Sequence, residues 1–205
     1  MRVANFILMN PIMSSETLEK LFHSKIEVKL LRLFFNNPEE FYLATDIAEK
    51  SKIDLALLKK EIANLVDVKF LISKKKSGKV FYGINSSFAL LGELKRLVFK
   101  ASPTSSDRIM NQVEKLGQIR LLVISGALIN SEKGRVDMMI VGEHISKSRL
   151  KNFLENTEAE IGRNINYVSM STDEFRYRRS MFDKFVIDIL EGPHKVLIDK
   201  LKSEL

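Results

Sequence analysis

The sequence predicts an α+β protein built from two units of different architecture. Residues 15–102 combine apolar positions at helical spacing with one hairpin pattern, whereas residues 103–205 alternate between helices and nearly continuous apolar strands. A small polar segment around Pro103 separates the two patterns. We therefore expect an N-terminal arm at residues 1–14, a first domain at 15–102 and a second at 103–205.

Composition limits the classes of protein to consider. Hydrophobic residues make up 45% and charged residues 29% of the 205 residues, which is typical of a globular protein and too apolar for a disordered chain. The absence of cysteine excludes disulfides, thiolate metal sites and cysteine nucleophiles. Because His23, His144 and His194 are far apart in sequence, we expect neither a metal site nor a cofactor.

The first apolar run is Phe6-Ile7-Leu8-Met9, which is too short for the core of a signal peptide, and no apolar segment of membrane length follows it. We expect a cytoplasmic protein that does not contact a membrane. The positive charge is uneven: residues 1–100 hold 17 basic and 11 acidic residues, hence +6, whereas residues 101–205 hold 16 and 15, hence +1. The first half is therefore the candidate for binding an anionic partner.

Two short helices joined by a tight turn are predicted within the first domain. Thr45-Asp46 offers a cap for the first helix, Ser51-Lys52-Ile53 the turn, and Asp54 a cap for the second. Apolar residues of the second helix recur at spacings of three and four: Leu55, Leu58, Ile62 and Leu65. Its opposite face carries Ala56, Leu57, Lys60 and Asn64, with Lys59 and Glu61 on the flanks.

A basic hairpin follows the second helix. Residues 69–73 and 79–84 read as strands, and Gly78 supplies the positive φ that a tight turn needs. The predicted tip holds four lysines: Lys74, Lys75, Lys76 and Lys79. Lysines at phosphates add affinity with little sequence information, although such a turn also serves solubility alone. A helix is then predicted at residues 86–100.

Helix, turn, helix and basic hairpin occur here in the order of a winged helix-turn-helix, in which one helix enters a DNA groove and the hairpin contacts phosphates. The candidate DNA-binding residues are Thr45, Lys59, Lys60, Asn64 and the four hairpin lysines. The segments that carry a family resemblance are Leu21-Phe22-His23-Ser24-Lys25, Leu30-Leu31-Arg32-Leu33-Phe34, Phe41-Tyr42, Asp46-Ile47-Ala48, Leu58-Lys59-Lys60-Glu61-Ile62 and Gly78-Lys79-Val80-Phe81-Tyr82-Gly83-Ile84-Asn85.

These segments resemble the ArsR-type winged-helix domain of prokaryotic transcriptional regulators over about residues 15–100. The resemblance implies binding of double-stranded DNA. Where the family tends to place small hydroxyl residues early in the recognition helix, this chain has Ala56 and Leu57, which cannot hydrogen-bond a base edge but can touch a thymine methyl. Metal-sensing members typically use cysteines and histidines as ligands; this chain has no cysteine and its three histidines are far apart in sequence, so a metal-sensing role is not implied.

The second domain is predicted to place helices against a sheet. Strands are expected at residues 119–124, 136–141, 166–170 and 195–198. Helices are expected at residues 106–116, 146–161 and 182–190, with a further helix opened by a capping box at Ser171-Thr172-Asp173-Glu174.

One pattern in the second domain resembles the minimal nucleotidyltransferase fold, over about residues 106–200. In active members one strand ends in Gly-Ser, the next opens with Ser-Asp-x-Asp, and a third strand carries another carboxylate; these acids hold magnesium ions. Ser125-Gly126 reverses the first pair, Arg135 replaces the first acid and Asp137 matches the second, while residues 166–170 contain no acid. One aspartate beside a guanidinium cannot hold two magnesium ions.

The site formed by Ser125, Gly126, Arg135 and Asp137 therefore reads as vestigial, with Asp137 expected to pair with Arg135 or to cap a loop. The sequence favours a non-catalytic DNA-binding protein, a transcriptional regulator that binds as a homodimer. Its second domain would then serve dimerisation, ligand sensing or partner binding, and no particular ligand is indicated. Two alternatives stay open: a magnesium-dependent nucleotidyltransferase with an atypical site, and a winged-helix module that binds proteins.

Overall fold

The computed structural model describes residues 15–101, 106–131 and 134–201. The arm predicted at residues 1–14 and the linker predicted around Pro103 lie outside these ranges. The α+β class is confirmed, because helices account for about half of the chain and the strands form two separate small sheets. We refer to residues 15–101 as the N-terminal unit and to residues 106–201 as the C-terminal unit.

The N-terminal unit is a helical cluster with one small antiparallel sheet. Its elements are α1 (Ser15–Phe22), α2 (Lys25–Asn36), β1 (Tyr42–Leu43), α3 (Ala44–Ser51), α4 (Leu55–Asp67), β2 (Leu71–Lys76), β3 (Lys79–Ile84) and α5 (Leu91–Lys100). The strands lie in the order β1-β3-β2. The largest fully buried side chains of its core include Phe34, Phe70 and Leu58. The core therefore joins α2, α4 and the start of the hairpin.

Three predicted boundaries in this unit are wrong. Helix α3 begins at Ala44, so Thr45 lies in its first turn, and the Asp46 carboxylate accepts a hydrogen bond from the Leu43 N–H at 3.3 Å. Strand β2 starts only at Leu71, because Lys69 adopts a left-handed φ of 61° in the turn after α4. Helix α5 starts at Leu91 rather than residue 86, since the Asn85 side chain holds the preceding turn by accepting from the Ser87 N–H.

The C-terminal unit places helices on both faces of a four-stranded mixed sheet. Its elements are α6 (Ser106–Val113), β4 (Gln118–Ser125), a 3-10 helix (Gly126–Ile129), β5 (Met138–Glu143), α7 (Lys147–Ile161), β6 (Tyr167–Met170), α8 (Thr172–Ser180), α9 (Lys184–Glu191) and β7 (His194–Asp199). The strand order is β6-β5-β4-β7, with β5 and β6 parallel and the other pairs antiparallel.

Alternation along the central strands separates the two faces of this sheet. On β4, Leu122 and Ile124 pack with α6 and α7, whereas Leu121 and Val123 pack with α8 and α9. The predicted covering of the sheet by helices on at least one face is thus confirmed, and both faces are covered.

One of the contacts between the two units lies at the C-terminal end of α7. Three side chains of the N-terminal unit donate to its last carbonyl groups: Arg32 Nη1 to Glu160 O at 3.2 Å, Asn36 Nδ2 to Ile161 O at 2.8 Å, and Asn37 Nδ2 to Gly162 O at 3.0 Å. The last carbonyls of a helix have no intrahelical donor, so these contacts supply one from the other unit. This contact between the units is therefore made by hydrogen bonds, and their partners fix how α2 is aligned with the end of α7.

Arg32 is the buried charge at this contact, with only 3% of its surface exposed. Burial lowers the pKa of the guanidinium to about 10, an effect that Glu19 and Glu160 partly oppose. Arg32 Nη1 also donates to the Ser15 hydroxyl at 3.2 Å. A buried cation that bridges α1, α2 and α7 makes the docking of the units sensitive to small displacements.

Gly162 is the point of closest approach between the units. It follows α7 with φ 77°, and a Cβ built there would lie 2.5 Å from the Arg32 carbonyl carbon and from Leu33 N. We expect Gly162→Ala to lower the free energy of unfolding by about 2–4 kcal/mol, measured by urea denaturation, because a left-handed alanine is strained and must also displace α2.

Gly78→Ala is the matched control for that variant. Gly78 has a similar φ of 74°, but no atom lies within 4 Å of a Cβ added there. It should therefore show only the cost of alanine in a left-handed conformation, about 1–2 kcal/mol. Equal losses for the two variants would mean that α2 and Gly162 are not in close contact in solution.

Candidate nucleic-acid interface and the surroundings of Asp137

Helix α4 has one buried and one exposed face, as its spacing predicts. The Asp54 carboxylate caps the helix, accepting from the N–H groups of Ala56 at 2.9 Å and Leu57 at 3.2 Å. Three positions of the predicted apolar stripe, Leu58, Ile62 and Leu65, are buried, and Leu55 packs against the same core. The residues left exposed are Ala56, Leu57, Lys59, Lys60, Ala63, Asn64 and Asp67.

An acid flanks this exposed face. Glu61 accepts a hydrogen bond from the Ser24 hydroxyl at 2.6 Å, and that hydroxyl in turn accepts from the Glu27 N–H at 3.0 Å. The Asn64 amide is 3.5 Å from the Glu61 carboxylate, so only a weak hydrogen bond holds it. Asn64 therefore presents its donor and acceptor to solvent, close to the Lys60 side chain one helical turn before it.

The hairpin after α4 has a turn of only two residues. Ser77 and Gly78 both have positive φ, 51° and 74°, which matches the right-handed twist of the flanking strands. Pairing consequently continues up to Lys76 opposite Lys79. The predicted end of the first strand at residue 73 is therefore wrong. Strand β2 extends to Lys76, so that Lys74, Lys75 and Lys76 lie on a strand, as Lys79 was predicted to do, and the register fixes which way all four lysines face.

Three of the four lysines share one face of the hairpin. Lys76 lies opposite Lys79, and Lys74 opposite Phe81, and these positions alternate with Lys75, which lies opposite Val80. Farther along the Lys75 face, Leu71 and Ile84 enter the core. Lys74, Lys76 and Lys79 thus project from the face that points away from the core.

Phe41 covers the inner part of that lysine face. The Lys74 ammonium lies 3.9 Å from the centre of the Phe41 ring, and a Cβ at Gly83 would collide with the same ring. The contact holds the Lys74 side chain by a cation–π interaction. This pair was not predicted, although a glycine inside an otherwise regular strand signals close approach by another group.

Thr45 is exposed in the first turn of α3, and its hydroxyl donates to the Asp46 carboxylate at 3.3 Å. It therefore does not cap the helix. The predicted DNA-binding residues fall into three groups, on α3, on α4 and on the hairpin. Helix α4 is followed directly in the chain by the hairpin, and the lysines of both elements are exposed.

Asp137 is a buried carboxylate that connects three segments of the C-terminal unit. Its Oδ1 accepts from the Ala127 N–H at 2.6 Å and its Oδ2 from the Asn166 N–H at 2.9 Å. The exposed fraction of the residue is 4%. The carboxylate thus joins the start of the 3-10 helix, the entry to β5 and the entry to β6. Capping of a loop, one of the two roles predicted for it, is confirmed.

The other predicted role, pairing with Arg135, is wrong. Arg135 Nη2 lies 2.7 Å from the Asp188 carboxylate on α9, while the cation nearest to Asp137 is Arg163, with Nη2 at 3.9 Å from Oδ1. Gly126 has φ 52°, and any Cβ there would collide with Asp137 Oδ1. The Ser125 hydroxyl donates to Val136 O at 2.6 Å. All four residues of the predicted vestigial site thus have structural roles.

These contacts do not fit a magnesium site. Both oxygens of Asp137 already accept backbone N–H groups, and a guanidinium stands beside one of them, whereas Mg²⁺ needs several free anionic oxygens. Over residues 15–101, 106–131 and 134–201, no three His, Cys, Asp or Glu side chains converge in a way that could hold a metal ion.

A cleft of about 870 Å³ lies between the units and is lined by charges of both signs, among them Glu49, Lys50, Lys52, Glu155 and Arg163. Lys52 Nζ and Glu155 Oε2 form an ion pair at 2.8 Å across it. The hydrogen bond from Lys52 holds the pKa of the Glu155 carboxyl below its usual range. Of the charges that line the cleft, Lys52 and Glu155 thus pair with each other across it.

Searches against models of protein families, curated proteins and solved structures find no significant match to this chain. In the part of the chain that the structure describes, no helix combines the length and the apolar character that crossing a membrane requires.

Proposed function

We propose that this protein binds double-stranded DNA without catalysing a reaction, through a winged helix-turn-helix of the ArsR type in its N-terminal unit. The observation that carries the proposal is the combination of an exposed polar face on α4, after a tight turn from α3, with a hairpin that directs Lys74, Lys76 and Lys79 to one side. A helix of this kind enters the major groove, and such a hairpin neutralises phosphates.

The character of the α4 face indicates how recognition would be divided. Lys59 and Lys60 supply charge, Asn64 supplies an amide that pairs well with adenine, and the exposed Leu57 can contact a thymine methyl. Few donors are thus available for base edges. We propose that the hairpin and the lysines provide most of the affinity, and that half-site spacing in a dimer and DNA shape provide much of the specificity.

For the C-terminal unit we propose a nucleotidyltransferase-like fold without that activity. Asp137 precedes β5 beside the end of β4, the position where the resemblance places a metal-binding acid. Its oxygens are committed to the N–H groups of Ala127 and Asn166. Because Asp137 is the one acid that matches the nucleotidyltransferase pattern, its hydrogen bonds to backbone N–H groups support a structural role for the unit and disfavour the enzymatic alternative.

The protein-binding alternative rests on Leu57, which is 59% exposed in the first turn of α4. An exposed apolar side chain of this size on a helix face also suits a protein partner with an apolar groove. In that case the α4 face would bind no duplex of any sequence, which makes the two functions separable by one experiment.

The experiment is selection from a pool of random DNA duplexes with the full-length chain at 50 mM and at 200 mM salt. We expect retention of duplex at 50 mM salt, a large loss at 200 mM, and enrichment of a preferred sequence over several rounds. Retention without enrichment would indicate non-specific binding only. Failure to retain any duplex at 50 mM salt would overturn the proposal in favour of a protein partner.

A further inference from the structure

The corner between α8 and α9 exposes three large apolar side chains. Tyr177 is 67% exposed, Met181 64% and Phe182 80%, and they lie within six consecutive residues. Isolated exposed apolar residues are ordinary on protein surfaces, whereas a contiguous group of this kind marks a surface that contacts another molecule.

Phe182 is also in an unfavourable backbone conformation. The Asp183 N–H donates to Arg178 O at 2.9 Å and the Phe182 N–H to Arg179 O at 3.1 Å, which is the hydrogen-bond pattern of a Schellman motif with Phe182 in the left-handed position. Its φ is 53°. Glycine or asparagine suits this position best, and Phe182 is the only apolar residue among the non-glycine residues with positive φ in the described ranges.

The left-handed backbone of Phe182 therefore costs free energy, while its ring, being 80% exposed, contributes little to the core of its own chain. Beside it lies a groove of about 530 Å³, whose apolar lining includes Phe175, Val186, Leu190 and Leu201 together with Phe182 itself. The same surface thus has a projecting apolar ring and an apolar groove that can receive such a ring.

Charges around the groove are likewise of both signs, since Arg176, Arg179 and Glu191 line it. Arg176 lies 3.6 Å from the Asp173 carboxylate, whereas neither Arg179 nor Glu191 forms an ion pair with another described residue of its own chain. A surface that carries a cation, an anion, a projecting ring and a receiving groove is complementary to a copy of itself related by a two-fold axis.

We propose that the α8–α9 corner is a self-association surface, on which Phe182 of one copy enters the groove of a second copy and Arg179 faces the partner subunit's Glu191. The three apolar side chains expose on the order of 400 Å², about half of what each partner buries in a standard interface, and the groove walls add to this. The expected result is a reversible dimer with a dissociation constant in the micromolar range.

The location of this surface leaves the N-terminal unit free. Helices α8 and α9 pack on the face of the sheet opposite to α7, and it is α7 that contacts the N-terminal unit. A dimer formed through α8–α9 would therefore carry its two N-terminal units on the far sides. The inference concerns the C-terminal unit alone and does not depend on DNA binding.

The test is sedimentation of the full-length chain without DNA between about 0.1 and 100 μM. We expect a monomer–dimer equilibrium whose dissociation constant rises at least tenfold in Phe182→Asn. Asparagine adopts positive φ readily, so this variant should keep the fold, which a thermal unfolding curve of the dilute protein verifies. Leu90→Asn is the matched control, since Leu90 is 60% exposed on the N-terminal unit and its loss should leave the equilibrium unchanged.

Charge reversal provides a second test that does not involve the ring. Arg179→Glu and Glu191→Arg should each weaken the dimer, and the double variant should recover most of the loss, because the pair is then restored with opposite polarity. A chain that stays monomeric at 100 μM would overturn the proposal. So would a dimer that Phe182→Asn leaves intact, in particular one that Leu90→Asn disrupts.

Discussion

Replacing Lys74, Lys76 and Lys79 together by alanine should weaken duplex binding on the order of a hundredfold at 0.1 M salt. The three ammonium groups lie on one face of the hairpin, so a phosphate backbone along that face meets all of them. Removing three phosphate contacts should also make the dependence of log K on log salt concentration shallower by about 2.7, because each contact contributes about 0.9 to the slope. Fluorescence anisotropy with a labelled duplex at several salt concentrations measures both quantities.

A matched triple variant tests whether position or only charge matters. Lys115, Lys147 and Lys184 are exposed on the C-terminal unit, and their replacement by alanine removes the same charge. We expect a loss of a fewfold at most, without a comparable change in slope. Lys75→Ala, on the opposite face of the hairpin, should likewise have a small effect. Equal losses in the two triple variants would show that the hairpin is not the phosphate contact.

Asp137→Ala should lower the free energy of unfolding by about 3–5 kcal/mol. The substitution leaves the N–H groups of Ala127 and Asn166 without their acceptors in a buried place, and each such loss costs about 1–3 kcal/mol. Urea denaturation of the dilute protein gives the value. Asp137→Asn, which keeps one acceptor oxygen, should fall between the wild type and the alanine variant.

Asp188→Ala is the control for Asp137→Ala, because Asp188 pairs with Arg135 at the surface and its loss should change stability by less than about 1 kcal/mol. The enzymatic alternative predicts a different result for Asp137→Asn, namely unchanged stability and loss of a magnesium-dependent activity. A stable Asp137→Ala variant would remove the structural role proposed for this carboxylate.

Local features of this protein were predictable because they depend on residues only a few positions apart. Asp54 caps α4 as predicted, by accepting from N–H groups within three residues of it. Ser171 caps α8 in the same way, because its hydroxyl accepts from the Glu174 N–H. The Glu174 carboxylate pairs with Arg178, so only this half of the predicted capping box is formed. The buried stripe of α4 follows from the 3.6-residue period alone.

The candidate sites were predicted less completely than the elements that carry them. The residue types of the hairpin were sufficient to predict its turn, but its register sets Lys75 on a different face from the other three lysines. Likewise, Asp137 was recognised as isolated from other acids, whereas its actual partners, Ala127 and Asn166, are backbone groups that no side-chain pattern reveals.

The sequence alone determined the α+β class, the order of the elements, the concentration of positive charge in the first half and the absence of thiol chemistry. Tertiary structure decided how the two units dock, because Asn36 and Asn37 donate to the carbonyl groups of residues 125 positions later in the chain. It also decided that Arg135 pairs with Asp188. It also left the Phe182 ring exposed beside a groove. Helix caps and periodicity act within one turn of chain, whereas these contacts join segments distant in sequence, so only the folded arrangement brings their atoms together.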